Sequence, residues 1–413
     1  MSDNGEIGIL RELARQYADA AHRPVQGQRR DAWRRHNSLK PGRPLIHFRG
    51  GVCYEEILPP EVFRCRDPLY RGLETSLRRG LFVQSLNDDT ILEPWLTVRA
   101  AVVTPPHLWG LEIPRHRTED AHGSWKADPP IKDLDDLSGL AEPDHRIDED
   151  LTARRYQQAA EAVGDILPVY VDRAPAYTVW GGDIVTQLAH LRGLEQIMWD
   201  MADNPEGLHR LLARMRDSVL RTHDQAERAG DWKRLNSHNQ IMPYAEDLPD
   251  PAEAPDEPAP RSDLWIFLAA QELTLVSPQM HNDFMLEYQI PIMAPWGLSA
   301  YGCCEDLTRK IDMLRRVPNL RRIAVTPRAD TTACAEQIGD DYVYSWRPNP
   351  AEVMCCGFDA DHVEKLTRGV FQACAANGCC VDVNLKDIQT VENDLTRPAR
   401  CVRVIRQVAE EFA

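Results

Sequence analysis

The strongest constraint on this chain is a rhythm in its second half, where short apolar runs alternate with amphipathic stretches. Runs at 264–268, 298–301, 320–325, 342–346 and 380–385 read as strands, being short, rich in β-branched or aromatic residues and bounded by turn formers. Helical patterns intervene. Ser277-Pro278 caps and opens one, Leu307, Ile311 and Leu314 mark another, 331–338 and 359–376 carry two more, and a last one ends near Phe412. Parallel neighbours need a crossover long enough to hold a helix, so this alternation predicts βαβ units. With a further strand at 166–171, the expected fold is α/β, a (β/α)8 barrel. An open doubly wound sheet is the runner-up, and no GxGxxG supports it.

The remaining segments fit around that frame. Leu188, Leu191, Leu194, Ile197, Met198 and Met201 form one helical stripe, and Asn204-Pro205 caps a second helix carrying Leu208, Leu211, Leu212, Met215 and Val219. These stripes read as core contacts. Residues 1–42 read as an N-terminal helical extension, with Ile7, Leu10, Leu13 and Tyr17 in register, and 43–413 as the barrel. Within the barrel, 247–262 carries prolines at a density that no regular element tolerates. It is expected to be a surface excursion or a lid.

Composition narrows the function. A net charge of −16 argues against a nucleic-acid partner, because phosphate binding needs clustered Lys and Arg. No apolar run approaches the roughly 18 residues that cross a bilayer, and the first residues lack the basic and apolar regions of a secretory signal. A cytoplasmic protein without membrane contact is expected. Its 11 cysteines then read as reduced; they include adjacent pairs but no CxxC. Serine-triad, P-loop, HExxH and kinase signatures are absent from the sequence.

In a (β/α)8 barrel the reactive groups collect at the C-terminal ends of the strands. Those ends hold Gln271 and Glu272, then Cys303, Cys304 and Glu305, then Arg328 and Asp330, then Trp346, Arg347 and Asn349, then Lys386 and Asp387. Cys303, Cys304 and Glu272 are candidate metal ligands, since thiolates and carboxylates suit zinc; the competing reading makes both thiols small buried hydrophobes. Side chains alternate along a strand, so Cys303 rather than Cys304 is expected to face the mouth. Lys386, Asp387 and Glu305 are candidate proton carriers, although Lys386-Asp387 could equally be an ion pair closing the barrel. Asn236, His238, Gln271, Tyr301, Trp346 and Arg347 are candidate substrate contacts, and His281 reads as a helix-surface histidine.

Several motifs resemble the uroporphyrinogen decarboxylase superfamily, which includes zinc-dependent methylcobamide:coenzyme M methyltransferases and related corrinoid-linked enzymes. They are Arg192-Gly193-Leu194-Glu195 with Asn204-Pro205-Glu206, Gln271-Glu272 ahead of Val276-Ser277-Pro278, and Tyr301-Gly302-Cys303-Cys304-Glu305. Two more are Val343-Tyr344-Ser345-Trp346-Arg347-Pro348-Asn349-Pro350 and Leu385-Lys386-Asp387-Ile388-Gln389-Thr390-Val391. The likeness runs from about Val169 to the C-terminus. It implies methyl transfer assisted by zinc, a small-molecule substrate, a corrinoid supplied by a partner protein, and a homodimer. The sequence also departs from the family. The decarboxylase's N-terminal Met-Arg-Gln-Ala-Gly-Arg motif is missing, Tyr301 stands where the methyltransferases' His-x-Cys has histidine, and Lys386, Asp387 and Gln389 stand where a second zinc cysteine is expected. Zinc would therefore need substitute ligands from Glu272, His238, Cys304 or Asp387. A cofactor-free decarboxylase of a small carboxylated substrate is the alternative function, and a non-catalytic corrinoid- or tetrapyrrole-binding protein the third.

Overall fold

The structure, a computed structural model, describes residues 3–117 and 125–413. Eight strands that pair in parallel ladders occur among the described residues: β1 (Leu45–Gly50), β2 (Leu96–Arg99), β3 (Val169–Asp172), β4 (Trp265–Leu268), β5 (Leu298–Tyr301), β6 (Leu320–Val325), β7 (Val343–Trp346) and β8 (Cys380–Lys386). Their hydrogen bonding departs from a closed ring. Six strands form one curled half-barrel sheet in the order β1-β8-β7-β6-β5-β4, and β2 pairs only with β3. Among the described residues no ladder joins β1 to β2 or β3 to β4.

Local chemistry explains both interruptions. The edge of β1 is met by a turn, where Asp88 Oδ2 accepts Phe48 N at 2.8 Å and Asp89 N donates to Ile46 O at 2.8 Å. The edge of β4 is met by Ser237 and His238, whose Oγ and backbone N bond the two backbone groups of Trp265. Both exposed edges thus have partners without a neighbouring strand. The closed eight-stranded barrel expected from the alternation is corrected to a half-barrel plus a separate parallel pair.

Strand β8 shows how the sheet divides its faces. Val381, Val383 and Leu385 are buried in the main apolar core, while the alternate positions are Asp382, Asn384 and Lys386. A period of two puts those three polar residues in one column. At its lower end Asp382 is fully buried, accepting from Arg322, Ser345 Oγ at 2.9 Å and His36 Nε2 at 2.9 Å. His36 lies at the end of the helix Pro24–Asn37, and its neighbour Asn37 accepts from Arg322 at 2.6 Å. The second of the two N-terminal helices therefore plugs the N-terminal end of the sheet.

Two expected helices change shape. The stripe from Leu188 to Met201 is broken by Gly193, at φ +86, into Val185–Arg192 and Leu194–Asp203. The helix expected after Ser277-Pro278 passes through a π turn, Asn282–Leu286. The Pro-rich excursion has only short turns. It is tied at the sheet's N-terminal end by Asp250 to Arg34 (2.5 Å) and Asp247 to Arg321 (2.7 Å), so the lid reading gives way to a tethered surface loop. No helix among the described residues is long and apolar enough to cross a membrane.

Candidate active site

Beyond Tyr301 the backbone leaves strand geometry. Gly302 adopts φ +97, a conformation that a Cβ would obstruct by meeting Leu307 Cδ1 at 2.7 Å and Ala324 Cβ at 3.1 Å. The loop it begins is held from both sides. The Glu305 carboxylate, fully buried, accepts Cys303 N at 2.7 Å and Ala270 N at 2.8 Å. Arg347, arriving after β7, donates to Gly302 O at 2.7 Å and Cys303 O at 2.6 Å, with its other terminal nitrogen on Gln240. Glu305 and Arg347 therefore position the loop.

Lys386 comes from the end of β8 and meets that loop. Its Nζ is 3.2 Å from Cys303 Sγ, 3.5 Å from Cys304 Sγ and 2.6 Å from Asp387 Oδ2. The two sulfurs are 3.6 Å apart. Both thiols line the same cavity, so the expected choice of Cys303 over Cys304 is corrected: alternation lapses once Gly302 ends the strand. Cys303 is buried and Cys304 is exposed. Asp387 also sits in left-handed backbone at φ +58, strain of the kind that collects at functional sites.

This geometry divides the two thiols chemically. A hydrogen bond from Cys304, then the charges of Arg347 and Lys386, pull the Cys303 thiol down to about 5 against the opposing effect of burial. Cys304 moves up for the complementary reason, as its proton is held on Cys303 and burial disfavours a second anion. At neutral pH the arrangement is a Cys303 thiolate, a Cys304 thiol and a Lys386 ammonium in contact.

The cavity has two lobes sharing Cys303, Cys304, Lys386 and Asp387. One, of about 360 Å³, reaches Arg49, Arg79, Tyr54 and Gln271. The other, of about 400 Å³, reaches Arg328, Arg347 and Asn349. Arg49 escaped the sequence reading because the strand at 45–50 did, and Arg79 because the helix Pro68–Ser85 did. The available signal was the apolar run Leu45-Ile46-His47-Phe48 ending in Arg49-Gly50-Gly51.

Other expected site residues lie elsewhere. Tyr301 is fully buried on the helix side of the sheet, its hydroxyl bonded to Gln289 Oε1 and His281 Nε2, both at 2.8 Å. His281 is thus a core residue and no surface histidine. Trp346 packs on Phe371 in the apolar core. His238 and Asn236 line a small aromatic pocket with Phe267 and Trp232, and Asn236 bonds Asp172 at 2.6 Å. Glu272 accepts from Thr186 at 3.0 Å, and burial raises its carboxyl.

These placements decide how well zinc fits. Among the described residues no three His, Cys, Asp or Glu side chains gather as a metal would require. The space beside the two sulfurs is taken by an ammonium, Tyr301 faces away, and Glu272 is engaged by Thr186. A cation in this position repels a metal ion and performs its electrostatic task of holding a thiolate. The residues do not fit zinc. Nor does the charged lining offer the broad apolar face that a resident macrocycle would stack on.

Against known proteins, no family model and no curated sequence matches the chain. In structure it is similar to a methyltransferase from Methanosarcina mazei, with a TM-score of 0.51 and 13% identity over 93% of this chain and 98% of that one. Likeness at this identity concerns the fold.

Proposed function

We propose that the protein is a group-transfer enzyme of the methyltransferase type, acting on a small molecule with the Cys303 thiolate as nucleophile. The observation that carries this reading is the contact of Lys386 Nζ with Cys303 Sγ at 3.2 Å inside a solvent-reachable cavity. In the step proposed, an Sγ–C bond forms as the bond from the methyl carbon to its leaving group breaks. The leaving group departs with the electron pair and takes a proton from the Lys386 ammonium, which recovers it from water. A second acceptor then removes the methyl group and restores the thiolate. The proton from Lys386 serves a small-molecule donor; a corrinoid borne by a partner protein would need none, and Lys386 would then only hold the thiolate. The superfamily resemblance and the methyltransferase-like fold support the reading.

A cofactor-free decarboxylase is the second reading, favoured by the Lys386–Asp387 pair, which could deliver a proton to a carbanion. One experiment separates them. With iodomethane at pH 6 as a generic donor, intact-mass analysis is expected to show one methyl group, on Cys303, and none there in Cys303→Ala. Methyl groups spread over the 11 cysteines would sink the nucleophile assignment. Substrate decarboxylation surviving in Cys303→Ala would favour the second reading.

A further inference from the structure

The two lobes of the cavity meet at Cys303, and each has its own cation at the far wall. In the first, Arg49 is the last residue but one of β1, before Gly50 at φ +70 turns the chain and leaves no room for a side chain against Tyr54. Arg79 stands beside it, its guanidinium over the Tyr54 ring at 4.7 Å. In the second, Arg328 follows β6. All three are exposed, and none has a carboxylate partner among the described residues.

The charge inside the cavity is unbalanced in the same sense. Among the described residues Asp387 is the one carboxylate lining either lobe, and Lys386 holds it. Arg347 is buried and, among the described residues, bonds two carbonyl oxygens and an amide but no carboxylate. A guanidinium without a partner beside a concave wall suits a carboxylate, sulfonate or phosphate, which takes two of its N–H groups at once.

We propose that the substrate is a dianion, with one anionic group on Arg49 and Arg79, the other on Arg328, and the carbon that reacts lying between them at Cys303. This deepens the reading of Cys303 as the reacting group and rests on it. A ligand pinned at both ends presents its centre to the sulfur in one orientation. A monoanion would bind in either lobe and leave that centre unplaced.

Protection of Cys303 from iodoacetamide by α,ω-dicarboxylates, from succinate to pimelate, tests this against monocarboxylates of matching length. At least one dicarboxylate is expected to protect at a concentration about tenfold below its monocarboxylate partner, the gain from one added charged contact. Arg49→Gln and Arg328→Gln are each expected to erase that advantage, with protection scored against each variant's own unliganded rate. Monocarboxylates protecting equally well throughout the series, or variants that keep the advantage, would overturn the dianion. Failure of the underlying reading looks different: Cys303 then alkylates no faster than an ordinary thiol. In that case calorimetry with the same ligand pairs decides the dianion, the same tenfold preference supporting it and equal affinities overturning it.

Discussion

At the scale of single residues, the site is a problem in holding one proton off one sulfur. Cys303 sits lower than an ordinary thiol because Cys304 donates to it and because Arg347 and Lys386 stand near it. Since its folded value lies below the unfolded one near 8.5, the thiolate's contribution to stability is complete above that pH. It fades as pH falls toward about 5. Alkylation should follow the same curve, rising to a plateau already reached at neutral pH. Replacing Lys386 by Met removes an ammonium 3.2 Å from the sulfur, so the half-point of the alkylation profile should move upward, by about 1 unit or more. A profile unmoved in Lys386→Met would mean that Cys304 and Arg347 alone hold the thiolate. The lysine's place as the cation standing where a metal was expected would then be lost.

At the scale of elements, the same features show what sequence could and could not say. Strands β4 to β8 were legible because each is a short apolar run between helical patterns. Strands β1 and β2 were not: His47 and Arg49 interrupt the first, and the second is only Leu96–Arg99. The gathering of Cys303, Cys304, Lys386 and Asp387 followed from strand ends meeting at one mouth. The orientation of Cys303 and Cys304 did not, because it depends on Gly302 leaving the strand at φ +97. Tyr301 and Trp346 were misplaced for the converse reason: they are still in the strand and face the helices. Gly302→Ala tests the loop's role. The new Cβ meets Leu307 and Ala324 in a backbone conformation that alanine avoids, so stability should fall by roughly 1–3 kcal/mol. The shift should also carry Cys303 away from Lys386 and slow its alkylation at pH 6. Lower stability with unchanged alkylation would show that Glu305 and Arg347 place the thiol without the glycine.

At the scale of the whole molecule, the cavity end of the half-barrel depends on what fills the other end. Below Lys386 on β8, in one column, lie Asn384 and then Asp382, bound to Arg322, Ser345 and His36. Arg322 and Asp382 are both shut off from solvent, and Asp382 is driven down to about 2 by Arg322 and His36 although burial alone would raise it. Burial keeps His36 neutral, so it donates one N–H to the carboxylate while Arg322 supplies the charge. The helix Pro24–Asn37 is thereby fastened to two strands, β8 through His36 and β6 through Asn37, and Ser345 on β7 joins through Asp382. Asp382→Ala leaves Arg322 buried with no counter-charge and should cost about 3–5 kcal/mol at pH 7, read by chemical denaturation. Because the folded carboxyl lies below its unfolded value, the wild type should hold this contribution above about pH 4 and lose it as pH falls toward 2. The variant should show no such acid limb. The pair Asp382→Ala with Arg322→Met removes both charges and should recover much of the loss, since the penalty lies in the orphaned charge more than in the missing bond. If the double variant were as unstable as the single one, the fastening would come from His36 and Asn37 packing under the sheet. The ion pair would then be incidental to the coupling between the two ends.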